Sequence, residues 1–221
     1  MRSYNQWCSL AKALDVVGER WSLLVVRELL EGPRRYTDLR EGIPGISTDV
    51  LAARLKDLED DGIIERRTLP PPAASKVYEL TELGLGLGPA VAALSKWGSR
   101  LLGPKTDDEA FRPHWLVLGL RGMLRADRAA DVSLDVDFDL LSGDTVRVRV
   151  DGGRLVHVPE PETPAQVLVH ADLSTLAAVA DGSLPVAAAT ADGRFAIEGE
   201  ADVVAAFQRL FPQPKPESVR A

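Results

Sequence analysis

Cysteine, methionine, histidine and the aromatics are all scarce in this 221-residue chain, which has one Cys, two Met, three His and 5% Phe, Trp and Tyr together. A lone thiol, Cys8, cannot close an internal disulfide, so the fold must rest on packed apolar side chains. An apolar fraction of 45% suffices for one large or two ordinary cores. Long apolar runs are missing too. Nothing approaches the roughly 18 residues of a membrane-crossing helix, and no signal peptide is visible; a soluble cytoplasmic protein with no membrane partner is expected. His114, His157 and His170 fall on different predicted elements and share no metal-ligand spacing with one another or with Cys8. No metal is expected. A Walker-type loop and a G-x-G-x-x-G opening a helix are both absent, and Gly84-Leu85-Gly86-Leu87-Gly88 lacks the lysine of a phosphate loop. No Ser-His-Asp set is identifiable, so neither a cofactor nor an enzymatic activity is expected.

The net charge of −7 is unevenly held. From Met1 to Gly103 basic and acidic residues balance at 14 each, whereas the remainder carries 12 basic against 19 acidic residues. An acidic second half repels nucleic acid as a whole. Any DNA contact must therefore be local, through clusters such as Arg34, Arg35, Arg66, Arg67 and Lys76, and sensitive to salt.

The stretch from Ile46 to Leu69 organises the first half. Ser47 is suited to cap a helix, Asp49 complements its positive end, and Leu51, Leu55 and Leu58 line one face. Thr48, Asp49, Ala52, Ala53 and Lys56 are left on the opposite side, with Arg54 between the two. That face is polar and short at its centre, as a helix entering the DNA major groove requires. Before it lie a short helix from Cys8 to Val17, a mostly buried one from Arg20 to Glu31, and a turn or two from Tyr36 to Glu41. After it, Ile63 to Leu69 and Lys76 to Leu80 read as strands around a proline-rich loop, which makes a wing. Thr81 can cap a helix running to about Leu102, with Leu83, Leu87, Val91, Leu94, Trp97 and Leu101 as a stripe. The glycines in its first turns suit either a close backbone approach at a dimer seam or packing within one domain.

These residues resemble the HxlR family of bacterial winged-helix regulators. The matching segments include Ala13-Leu14-Asp15-Val16-Val17-Gly18, Arg20-Trp21-Ser22-Leu23-Leu24, Tyr36-Thr37-Asp38-Leu39-Arg40, Ile43-Pro44-Gly45-Ile46-Ser47 and Val77-Tyr78-Glu79-Leu80-Thr81. The resemblance covers about the first 100 residues and implies a homodimer bound to a double-stranded DNA operator and controlling transcription. With the Ser47-capped helix in the groove, Thr48, Asp49, Ala52 and Ala53 are expected to face base edges and Arg35, Arg54, Lys56, Arg66 and Lys76 to meet phosphates, with Ser47 counted in the same DNA-binding surface. Some members sense oxidants through an N-terminal cysteine, where Cys8 stands; the alternative for Cys8 is a small buried hydrophobe. The wing departs from the family in being less charged.

Composition shifts after a linker at 104–110. Phe111 to Ala126 suggests a helix. Val132 to Leu140 alternates apolar residues with Ser133, Asp135, Asp137 and Asp139, as a solvated strand face does, and Thr145 to Val150 alternates valine with Arg147 and Arg149. Strands at Arg154 to Val158, Gln166 to Ala171 and Arg194 to Glu198, with helices at Asp172 to Ala180 and Glu200 to Phe211, complete an antiparallel sheet covered by helices. The order of parts, with Ala180-Asp181-Gly182 and Asp192-Gly193-Arg194-Phe195-Ala196-Ile197-Glu198-Gly199-Glu200, resembles the sterol carrier protein type-two fold. That implies binding of an apolar molecule, for which Phe138, Val148, Leu176, Phe195, Ile197 and Phe207 are candidate pocket residues; equally, they fill a core.

The expected fold class is α+β. It comprises a winged helix-turn-helix and dimerisation domain at 1–103, a sterol-carrier-like domain at 111–212, and a flexible tail at 213–221. The leading expectation is a homodimeric regulator controlled by an apolar effector. The rivals are a lipid carrier whose winged helix is a docking module, and a purely structural second domain.

Overall fold

The computed structural model describes residues 3–212 except 72, 73, 104, 107 and 142. The expected tail, the centre of the proline-rich loop and two linker positions lie outside the described residues. The chain forms two compact units that divide between Val91 and Ala92.

The first unit runs α1 (Ser9–Val17), α2 (Ser22–Leu29), α3 (Tyr36–Gly42), α4 (Thr48–Asp60), β1 (Ile64–Thr68), β2 (Lys76–Leu80) and α5 (Glu82–Leu85). Leucine and valine at helical spacing fill its centre. Val25, Leu39, Leu51, Leu55 and Leu58 are all buried, so α2, α3 and α4 share one core. Gly62, at φ +69°, ends α4 by turning the chain through the left-handed region that a side chain disfavours. β1 and β2 then pair antiparallel from Ile64 opposite Leu80 to Thr68 opposite Lys76. Arg34 extends this wing: its N–H donates to Tyr78 O at 2.9 Å and its carbonyl accepts from Tyr78 N at 2.8 Å.

The long helix expected from Thr81 to Leu102 is broken. It appears as α5, then α6 (Gly88–Gly98), then a single 3-10 turn at Ser99–Leu101. Thr81 does cap, its hydroxyl accepting from Gly84 N at 3.1 Å. Gly84 shows why the glycine is there, since a Cβ on it would lie 2.1 Å from the carbonyl oxygen of Ile63. The close backbone approach at this position is thus made inside the chain.

The second unit continues with α7 (Pro113–Met123), β3 (Ser133–Asp139), β4 (Thr145–Asp151), β5 (Arg154–His157), β6 (Val167–Ala171), α8 (Leu173–Asp181), α9 (Val186–Ala191), β7 (Phe195–Gly199) and α10 (Ala201–Leu210). Its five strands are ordered β5-β4-β3-β6-β7. The expectation of an antiparallel sheet needs correction at one place, because β3 and β6 run parallel. Alternation specifies which face a side chain takes but not the direction of its strand. The connection at 158–166 carries the chain from the β5 edge to the far side of β3, where Gln166 N donates to Asp135 O at 3.0 Å.

The charged face of this sheet is also less solvated than alternation alone suggests. In register, Asp135 lies opposite Arg149 and Asp137 opposite Arg147, with Nε–Oδ1 distances of 2.6 and 2.5 Å. Arg147 is only 5% exposed, and its Nη1 donates to Thr163 O at 2.8 Å, so the 158–166 connection lies against this face. Hydrogen bonds from Arg149 hold the Asp135 carboxyl below its usual range, against the opposing effect of burial. On the opposite face Val136, Val146, Val148 and Val169 make the core. There α7 packs on β4 and β5, and α10 on β6 and β7.

Candidate nucleic-acid interface and apolar cavity

The geometry of α4 begins at its cap, where Ser47 Oγ accepts from Val50 N at 3.4 Å. Tyr36 Oη donates to the carbonyl of Thr48 at 2.9 Å and ties the start of α3 to the start of α4. With Leu51, Leu55 and Leu58 turned inward, Thr48, Asp49, Ala52, Ala53 and Lys56 are exposed together. Two adjacent alanines at the centre leave a smooth strip that a base edge can approach. Tyr36 is missing from the sequence-derived site. Its only signal was an aromatic residue at the first position of a short polar helix.

The cations assigned to phosphates divide into two groups. Arg35 and Lys76 are exposed and make no ion pair among the described residues. Arg54, by contrast, is drawn to carboxylates of its own unit, Asp57 at 2.7 Å and Glu19 at 3.7 Å. Lys56 pairs with Asp60 one turn on. Arg66 pairs with Glu59 at 2.9 Å and sits over the ring of Tyr78 at 5.3 Å. All three are thus engaged by carboxylates of the chain itself, which offset their charge. Acidic residues crowd the end of α4, where burial, Asp57 and Asp60 push the Asp61 carboxyl up. The carboxylates of α4 thus concentrate at the end away from Ser47, where Lys56 and Arg66 partly offset them.

Cys8 is not buried. It immediately precedes α1 as an exposed free thiol, and Trp7 and Leu10 beside it are exposed as well. The helical stripe also faces outward in part: Leu83, Leu94, Trp97 and Leu101 are exposed while Val91 is buried.

Within the second unit a cavity of about 650 Å³ opens beneath the helices, a size typical of small-molecule sites. Five of the six candidate pocket residues line it, namely Phe138, Leu176, Phe195, Ile197 and Phe207. Val148 does not; it is fully buried in the sheet core, on the strand that α7 covers. Phe207 packs its ring against Phe138 and Phe211 at centroid distances of 6.3 and 5.1 Å. Sequence reasoning missed Ser95, Lys96 and Ser99, which also belong to the wall, because it treated everything before 111 as outside the ligand-binding domain; it missed Phe111 and Trp115 because helical spacing alone does not say which apolar residues border empty space. Among the described residues no group of three or more His, Cys, Asp or Glu is placed to hold a metal ion. No helix among them is long and apolar enough to cross a membrane.

Two family descriptions match the chain, the HxlR-like helix-turn-helix over residues 16–106 and the SCP-2 sterol transfer family over residues 123–212. Among curated relatives, the uncharacterized HTH-type transcriptional regulator YvaP of Bacillus subtilis is 36% identical over 93 residues. That alignment takes in 42% of this chain and 86% of the relative. The HTH-type transcriptional regulator YodB of the same organism is 36% identical over 101 residues, or 45% of this chain and 90% of the relative. The solved reduced form of YodB is 34% identical across 46% of this chain and all of its own, with a TM-score of 0.39.

Proposed function

The chain belongs to the HxlR-like helix-turn-helix family, and from that premise we propose that it is a transcriptional regulator that binds double-stranded DNA as a homodimer. The observation that carries this reading is the exposed, small and polar face of α4, Thr48, Asp49, Ala52 and Ala53, on a helix whose other face is locked by Leu51, Leu55 and Leu58. Such a face suits a groove. Asp49 is assigned to base edges as an acceptor from cytosine N4. Arg35 and Lys76 are the phosphate contacts ready without rearrangement, and Arg54, Lys56 and Arg66 are recruited from their ion pairs. Leu94, Trp97 and Leu101, exposed in the single chain, support a homodimer in which an apolar stripe is shared between copies. Cys8 is accessible enough to serve as a redox-sensing thiol.

The cavity supports control by an apolar effector. Helix α6 contributes Val91 to the first compact unit and Ser95 and Lys96 to the cavity wall of the second. An occupant that prefers one position of α6 can thereby bias DNA binding, and one that prefers neither cannot. The acidic balance of the second half favours a second reading, a lipid carrier in which the winged helix only docks or dimerises. Selection of duplexes from a random library by the full chain decides between them. The regulator reading expects enrichment of an inverted repeat whose half-sites lie about 10 base pairs, or a multiple, apart. Failure to enrich any sequence leaves the carrier.

A further inference from the structure

Val50 is turned outward on α4, 39% exposed where Leu51 beside it is fully buried. A single exposed apolar side chain is ordinary; its neighbours set this one apart. Side chains three or four residues apart on a helix adjoin one another, so Val50 adjoins Ala53, and Thr48, which carries a methyl of its own, adjoins Ala52. All four are exposed. They surround Asp49, the one charged residue from Thr48 to Ala53, a stretch without Arg, Lys, Asn or Gln. The bidentate donors that read guanine or adenine are therefore missing from it. The next cations along the helix, Arg54 and Lys56, are engaged by Asp57 and Asp60.

The first turn of α4 is also held in place. Ser47 Oγ accepts from Val50 N at 3.4 Å, and the carbonyl of Thr48 accepts from Tyr36 Oη at 2.9 Å. Valine in a helix is almost confined to one χ1 rotamer, so the Val50 methyls sit at fixed positions. Valine also forms helix less readily than alanine, and the stability of α4 gives no reason for it at an exposed position. The major groove of unmodified DNA, for its part, presents one apolar group, the thymine 5-methyl.

We propose that α4 recognises its operator through thymine 5-methyl groups, with Val50 as the specificity-determining residue and the methyls of Thr48 and Ala53 beside it. This rests on the reading of α4 as the DNA-contacting helix and deepens it by naming the chemical feature that is read. Asp49 adds one polar contact among the methyls.

The probe is the duplex that the full chain enriches from a random library, remade with deoxyuridine in place of one thymine at a time, at the same position of both half-sites. The exchange removes the methyl and leaves base pairing and charge as they were. At one position or more, affinity is expected to fall by about fourfold per methyl, hence about tenfold for the symmetric pair. Val50→Ala is expected to lose about as much on the thymine duplex, to keep or raise the melting temperature, and to bind the uridine duplex as well as the thymine one at that position. Such coupling between one side chain and one methyl identifies the contact. An enriched duplex without thymine in its half-sites, or one in which the parent chain tolerates uridine everywhere, overturns the methyl reading. If that duplex still loses affinity with Ala53→Glu, α4 stands as the DNA-binding surface. Sensitivity to uridine that persists undiminished in Val50→Ala overturns the assignment to Val50. Enrichment of no duplex at all overturns the regulator reading, and this one with it.

Discussion

In the winged-helix unit Leu51, Leu55 and Leu58 are exposed by 1% or less and press against neighbouring helices, whereas in the sheet unit Phe138, Leu176 and Phe207 border about 650 Å³ of empty space. Similar side chains serve two ends. A helix that must present a fixed face to a rigid duplex needs every contact behind it filled, because a gap forfeits dispersion attraction and lets the helix shift. A sheet with helices laid across it can leave part of its apolar face uncovered by protein, at some cost in stability, and keep that space for a guest.

Unfolding experiments can break or sharpen this contrast. The largest effect is expected for Leu58→Ala, which hollows a filled core and should cost about 3 kcal/mol in urea unfolding. Leu176→Ala removes the same atoms from a side chain that already borders empty space, and should cost about 1 kcal/mol. Similar losses at both positions would mean that the cavity is closed in solution. Next comes the charged face of the sheet. Arg147→Ala strands Asp137 beneath the 158–166 connection and should cost about 2 kcal/mol.

The smallest effect belongs to Arg149→Ala, and it should vary with pH. Asp135 has a folded pKa below its unfolded value of 3.8. Its contribution is therefore complete above that value and is lost as the pH falls through the folded one. The deficit of the variant should be steady near neutrality and vanish in strong acid. A deficit that persists at low pH would mean that Arg149 acts by packing instead of charge.

Periodicity made much of this legible. The spacing of Leu51, Leu55 and Leu58 told which side of α4 is free, and strict alternation placed β3 and β4 with their acids and arginines on one face. Both are local consequences of burying one face. Properties set by partners distant in sequence were not legible in the same way. The parallel pairing of β3 with β6 depends on where the 158–166 connection re-enters the sheet. The close approach of Gly84 to Ile63 joins positions 21 apart in the chain. The sequence offers Val148 as a candidate pocket residue and passes over Val169, yet of the two only Val169 lines the cavity, because helix placement decides which part of the apolar face is left uncovered. Arg54 and Lys56 were visible as cations on α4. Their carboxylate partners were visible too, but pairing depends on rotamers that spacing does not determine.

The central claim is that the outward face of α4 reads DNA, and one titration tests it most directly. The full chain and its Ala53→Glu variant are titrated against a duplex selected by the parent chain, with oligomeric state and melting temperature checked on both. Ala53 is exposed, so the added carboxylate should leave fold and assembly unchanged while placing a negative charge against the phosphates and bases of the groove. Loss of affinity by about a hundredfold or more is the result expected, on the scale of a few kcal/mol per disrupted base contact. Undiminished affinity in a folded variant would contradict the claim and move the DNA-binding surface elsewhere.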